Sequence, residues 1–175
     1  IDFEQEMEII AEIRSNFSAT DLTIRVDANG AFTPQEAPSK LERLAKLDIH
    51  SIEQPIRAGQ WKAMRDLCRL NLLPIALDEE LIQATDPQAL LESIQAPYII
   101  LKPSLLGGFG ASDAWIQAAQ SIGAQWWITS ALESNIGLQA VAQFTANYAN
   151  PLPQGLGTGK LYTNNFDCGL SIQKG

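Results

Sequence analysis

The sequence predicts an α/β fold, a partial TIM-type (β/α) barrel of about six parallel strands alternating with helices. Three observations carry that reading. Short apolar runs recur along the chain, and four of them end in a charged residue: Asp27, Glu53, Asp78 and Lys102, at intervals of 26, 25 and 24 residues. Each run is followed by turn residues and then by apolar side chains at helical spacing. The charged ends fall where barrels of this kind keep their reactive groups, at the C-terminal rim of the strands. A solenoid also repeats at such a period, but these strands share no repeat consensus. An open doubly wound sheet usually keeps its site at one switch point. Here polar groups end strand after strand, as a barrel wall would.

Taken in order, Asp2 to Phe17 reads as an amphipathic helix with Phe3, Met7, Ile10 and Phe17 on one face and Glu4, Glu8 and Glu12 on the other. Asp2 with Gln5 is its expected capping box. Leu22–Val26 is the first strand, and alternation puts Arg25 and Asp27 on one side of it. Thr33-Pro-Gln-Glu36 starts a helix that runs to about Leu47, with Leu41 and Leu44 inward and Pro38 within the first turn or so. The strand Ser51–Glu53, a helix over Trp61–Leu70 and the strand Pro74–Leu77 follow. Asp86-Pro-Gln opens a helix to about Ser93, and Tyr98–Leu101 is a wholly apolar strand. After Leu106-Gly-Gly108 come a helix over Ala111–Ser121, the strand Gln125–Ser130 and a helix over Asn135–Tyr148. Gly155–Gly159 is the expected sixth strand.

At 175 residues and 46% hydrophobic, the chain is one domain long and has material for a real core. A net charge of −8 argues against nucleic acid as a partner. No apolar run approaches the roughly 20 residues of a membrane span, and no signal-like segment opens the chain. Cys68 and Cys168 lie in no metal-type spacing. A reducing cytoplasm suits them.

Asp27, Glu53 and Asp78, brought from three neighbouring strands to one rim, would suit a hard cation. Oxygen-only ligands favour Mg²⁺ or Mn²⁺ over zinc. Without a cation the three carboxylates would repel one another. The plainer role for each acid is a cap on the next helix. Lys102 ends an apolar run before Pro103, so it either snorkels to solvent or faces the rim. Arg25 shares the side of Asp27 and either points inward or pairs with a surface acid. His50 precedes a strand and belongs to the opposite, stabilising end. A divalent cation with an amine is equipment for removing a proton beside a carboxylate, the metal offsetting the developing charge.

Arg25-Val-Asp-Ala-Asn29, Ser51-Ile-Glu-Gln-Pro55, Leu77-Asp-Glu-Glu80 and Leu101-Lys-Pro-Ser104, in this order, resemble the enolase superfamily, muconate-lactonizing-enzyme subgroup. The resemblance implies that Asp27, Glu53 and Asp78 are Mg²⁺ ligands on the third, fourth and fifth barrel strands, with Lys102 on the sixth. Thr129-Ser-Ala-Leu-Glu-Ser134 followed by Gly155-Leu-Gly-Thr-Gly-Lys-Leu-Tyr162 is most similar to the o-succinylbenzoate synthase family, dehydratases of menaquinone biosynthesis. It implies a syn elimination of water from a small-molecule carboxylate, with Lys102 catalytic and Arg25, Asn29 and Ser130 lining the substrate. That family carries a Lys-x-Lys base on its second strand, which these 175 residues lack. The expectation is therefore a stretch covering strands three to eight, without the capping domain or the first two strands, and inactive alone. Its open sheet edges would invite self-association. N-acylamino acid racemase shares the residues seen here and is the competing reading. A non-catalytic α/β scaffold with acids as helix caps is another.

Overall fold

The computed structural model describes residues 2–167 and Gly169; Cys168 lies outside them. The chain divides into two units, Ile1–Tyr98 and Ile99–Gly175. The first contains α1 (Phe3–Asn16), β1 (Arg25–Asp27), α2 (Ala37–Ala45), β2 (Ser51–Glu53), α3 (Trp61–Leu70), β3 (Ile75–Leu77), α4 (Glu79–Ile82) and α5 (Pro87–Ile94).

All three of its strands are parallel. Arg25 lies opposite Ser51 and Asp27 opposite Glu53, while Ile52 lies opposite Ile75 and Glu53 opposite Ala76. Every residue of β3 is buried, as expected of a central parallel strand covered on both faces. The core around it takes Leu41, Leu44, Met64, Leu67, Leu90 and Ile94 from α2, α3 and α5. Local chemistry sets the helix ends. Thr33 and Glu36 bond reciprocally, the hydroxyl to the Glu36 carboxylate at 2.9 Å and the Glu36 N–H to the hydroxyl at 3.3 Å. They close a turn just ahead of α2, so the helix begins later than the sequence suggests, with Pro38 in its first turn. Asp86 accepts from the Ala89 N–H at 3.0 Å and caps α5. Asn71, at φ 50°, ends α3.

Two differences from expectation appear here. α1 forms with Phe3, Met7 and Ile10 on its less exposed face, but it fully buries none of its residues, and Phe17 is 52% exposed. Phe3, Met7 and Ile10 instead line an open cleft of about 670 Å³ beside Val26 and Ile52. The helix is held at its edges. The Phe3 and Phe32 rings meet edge-on at 5.7 Å, Arg43 grips Glu4 in a fork, and Arg14 donates to four carbonyls: Leu47, Asp48, Phe17 and Leu22. The last of these explains the second difference. Arg14 occupies the Leu22 carbonyl at 2.9 Å, and the strand expected from Leu22 starts only at Arg25.

The second unit contains β4 (Tyr98–Leu101, entered from the last residue of the first unit), α6 (Pro103–Leu106), α7 (Phe109–Ile122), β5 (Gln125–Ile128) and α8 (Asn135–Thr145). The Thr129 N–H donates to the Leu101 carbonyl at 2.9 Å, tying the ends of β5 and β4 together. The sixth strand is reduced to one parallel bridge, Thr129 with Gly155, and Gly157–Lys160 coils into a 3-10 turn. Close contact at Gly155 accompanies this: a Cβ there would lie 2.4 Å from the Thr129 hydroxyl, which donates to the Gly155 carbonyl at 3.0 Å. Among the described residues there are thus five strands, in the sheet order β1-β2-β3-β4-β5. Among the described residues, no helix is long and apolar enough to cross a membrane.

Candidate active site

Each predicted acid in the first unit stands at a strand end. Asp27 and Glu53 are the last residues of β1 and β2 and are register partners, so they project to the same side. Asp78 follows the last residue of β3 and is two residues on from Ala76, the partner of Glu53. Strand alternation keeps it on that side too. Exposure falls across the series: Asp27 is exposed, Glu53 half-buried and Asp78 buried.

The bland roles fit unevenly. Asp27 spends one oxygen on the Asn29 N–H at 2.8 Å, which closes a turn. Asp78 occupies the N-cap position of α4 but makes no side-chain cap bond, so a capping role does not account for it. All three donors are carboxylate oxygens, which fits a hard divalent cation. A closed shell is not formed: among the described residues, no three His, Cys, Asp or Glu groups are gathered closely enough to hold a metal ion.

Arg25 is the first residue of β1. It is half-buried. Burial pulls its guanidinium below the ordinary value, and the nearby Tyr98 and Glu53 charges oppose that pull. Its charge is also felt by His50, so Arg25 lies near the start of the strands, by His50 and Tyr98, as well as within reach of Glu53. Asn29 takes a left-handed conformation, φ 46°, and is exposed. It borders a cleft of about 820 Å³ lined also by Gly30, Phe32, Gln54 and Arg57. Gly30 is required there. Its φ is +69°, and a Cβ would come within 3.0 Å of the Arg57 Cα. His50 lies at the opposite end of β2 from Glu53. Its ring packs on Tyr98 at 5.1 Å, in keeping with a stabilising role.

In the second unit Lys102 is half-buried and forms the N-cap of α6. Its carbonyl accepts from the Leu105 and Leu106 N–H groups at 2.8 and 3.1 Å. Ser130 is buried and heavily engaged. Its hydroxyl donates to Glu133 at 2.5 Å and accepts from the Leu132 N–H at 3.0 Å, while its N–H donates to the Gly155 carbonyl at 3.1 Å. A substrate would find only a residual lone pair on it.

Two residues that matter here carried no role in the sequence reading. Glu133 accepts from Ser104 at 2.5 Å as well as from Ser130, and from the Ala131 N–H, tying the turn after Lys102 to the loop after β5. Burial pushes its carboxyl up, but those hydrogen bonds outweigh it and hold the group below the ordinary value. Gln54 is buried among the acid-bearing strand ends. A second polar residue directly after Glu53, just ahead of Pro55-Ile56, was the available signal. The Cys68 thiol is pushed by burial up to about 12, which keeps it protonated and unreactive.

Residues 1–173 match the family model described as enolase C-terminal domain-like. An o-succinylbenzoate synthase of Desulfotalea psychrophila (strain LSv54 / DSM 12343) is 55% identical over 177 residues, covering 100% of this chain and 48% of that protein. The crystal structure of MenC from Desulfotalea psychrophila LSv54 aligns with a TM-score of 0.94 at 55% identity, over 98% of this chain and 49% of that one. The muconate lactonizing enzyme from Pseudomonas putida aligns at 0.86 and 24% identity, over 94% and 46% of the two chains, a likeness of fold alone. Five parallel strands alternating with helices match that barrel-like architecture. The chain spans about half the length of the relatives it matches.

Proposed function

We propose, for a chain that belongs to the enolase C-terminal domain-like family, that these residues supply the metal rim and one lysine of an o-succinylbenzoate synthase-type lyase. One observation carries the reading: Asp27 and Glu53 end neighbouring parallel strands in register, with Asp78 following the third. The 55% identity to an o-succinylbenzoate synthase across the whole chain supports the choice of reaction.

In this reading Asp27, Glu53 and Asp78 hold Mg²⁺, and Mn²⁺ satisfies the same oxygen donors. The cation, when bound, supplies a positive centre for a substrate carboxylate and offsets the charge that develops when the adjacent proton leaves. Arg25, on the same face, balances the acids and helps to draw in an anionic substrate. Asn29 offers an amide near the rim, and Ser130 offers its remaining lone pair. Lys102 contributes a cation to stack against the substrate ring. The overall change is loss of water after proton removal beside a carboxylate, a step of menaquinone biosynthesis in the cytoplasm. The proton needs a lysine base, and the 175 residues hold no Lys-x-Lys pair. By itself the chain is therefore expected not to turn over substrate.

Calorimetric titration of the chain with Mg²⁺ tests the rim. Binding is expected, with a loss of about tenfold or more in Asp78→Asn, since cation affinity follows the charge count of the ligands. Equal affinity in the two proteins would overturn the assignment of Asp78. No heat in either would favour a scaffold without catalytic function.

A further inference from the structure

Gln54 is 0% exposed and touches all three acid-bearing segments. Its carbonyl accepts from the Gly30 N–H at 2.7 Å, three residues beyond Asp27, and its own N–H donates to the Ala76 carbonyl at 2.9 Å, two residues before Asp78. Its side-chain oxygen accepts from the N–H groups of Asp78 at 3.2 Å and Glu80 at 3.4 Å. Its side-chain nitrogen donates to the Ile56 carbonyl at 3.0 Å and to Glu80 Oε2 at 3.2 Å. An amide side chain can accept twice and donate twice, and all four positions are used. The orientation is thereby fixed, because a flipped amide would set its NH₂ group against two backbone N–H donors. The backbone at Gln54 is left-handed, φ 36°, a conformation that any residue with a Cβ resists and that persists only where the surroundings enforce it.

Glu80 completes the tie. It is buried, and its Oε1 accepts from the Gly59 N–H at 2.8 Å. Of the acids in Asp78-Glu79-Glu80, Glu80 is thus committed to the protein.

We propose that Gln54, locked by Glu80, is the positioning residue that sets the spacing of Asp27, Glu53 and Asp78, and that Glu80 is not itself a ligand. The inference rests on the metal-ligand reading above. A fully satisfied buried network of this kind holds its members in one arrangement, whereas a half-satisfied one does not.

The test uses the 175-residue chain, MnCl₂ as the probe and amide hydrogen exchange by NMR. Gln54→Glu sets two carboxylates against each other, and Glu80→Gln removes the charge that orders the Gln54 amide. The swap Gln54→Glu with Glu80→Gln restores a carboxylate–amide pair, leaving the Ile56 carbonyl without its donor and one N–H of the new amide at position 80 without an acceptor. Each single variant should speed exchange at the Asp78 and Glu80 amides and weaken Mn²⁺ by about 10- to 100-fold, the usual cost of removing a support behind a metal ligand. The swap should recover much of both, and the Thr129 amide in the second unit should not change.

Asp78 and Glu80 amides that exchange at unsubstituted rates in the single variants would overturn the proposal. So would a uniform rise at every amide, which marks plain loss of stability, or a swap no better than the worse single variant. Should Gln54→Glu fail to fold, Glu80→Gln and the swap carry the same comparison. If the unsubstituted chain takes up no Mn²⁺, the ligand reading fails, and the amide rates decide the Gln54 tie by themselves.

Discussion

Replacing Arg14 with methionine removes the main fastening of α1 while keeping an unbranched apolar stem. The guanidinium donates to the Leu47 carbonyl at 3.0 Å in a part-buried setting. Its three exposed bonds go to Phe17 at 3.1 Å, Leu22 at 2.9 Å and Asp48 at 3.1 Å. A hydrogen bond from a charged donor is worth about 1.5 kcal/mol or more net when shielded, and an exposed one about 0.5. Together they set an upper figure near 3 kcal/mol, which rehydration of the freed carbonyls lowers to about 1–2. For a chain of this size that is a fall in melting temperature of about 2 to 8 °C. Because α1 buries no residue, little apolar packing stands in reserve, and its amides should exchange faster while those of β3 hold. Arg14→Lys should be nearly as damaging, since an ammonium cannot reproduce the planar fork. Scanning calorimetry with amide exchange checks this. A melting point within about 1 °C of the unsubstituted chain, with α1 amides unchanged, would show that the helix is held by something other than these bonds.

Two further outcomes follow from the same geometry. Burial, and next the Arg25 charge, hold the His50 imidazole below its ordinary 6.5. Its contribution to stability is thus fully present above pH 6.5 and is lost as the pH falls through the folded-state value; His50→Gln should flatten the thermal-stability curve in that window, and an unchanged slope would exclude His50 as its source. Within the first unit β1 has one strand neighbour, β2, and it carries no proline on its three residues. Copies should therefore associate through that edge, an expectation that sedimentation velocity tests and that a clean monomer across the accessible concentrations would remove.

Where the sequence was legible, one local signal governed each element. Ser51–Glu53, Trp61–Leu70 and Tyr98–Leu101 are found with the boundaries that pattern and turn residues imply. Each is bracketed by its own stop: Gln54 at φ 36°, Asn71 at φ 50° and Pro103. Where it misled, a distant side chain intervened. The period of α1 is that of a buried stripe, yet Arg14, 33 residues from Leu47 in sequence, and the aromatic and ionic contacts of Phe3 and Glu4 dock the helix by its rim. The Leu22–Ile24 stretch has the apolar character of a strand, and Arg14 takes the Leu22 carbonyl instead. A hydropathy pattern reports which face prefers burial; it does not report whether anything is there to bury it.

The site divides along the same line. A charge that ends an apolar run is conspicuous because it is expensive there without a purpose, so Asp27, Glu53, Asp78 and Lys102 stood out from their spacing alone. The groups that fix those charges are conspicuous only in three dimensions. Gln54 looks like a turn residue until its four side-chain bonds are traced, and Glu80 looks like one more acid in a run of three. Burial reverses that ranking. Asp27 is exposed and Glu53 only half-buried, so water can screen either one, whereas Gln54 and Glu80 are closed off from solvent. Each of their lost bonds would leave a buried polar group unsatisfied, at a cost of about 1–3 kcal/mol. Changes at Gln54 or Glu80 should therefore loosen the backbone around the rim and lower cation affinity together, while Asp27→Asn lowers affinity and leaves that backbone in place.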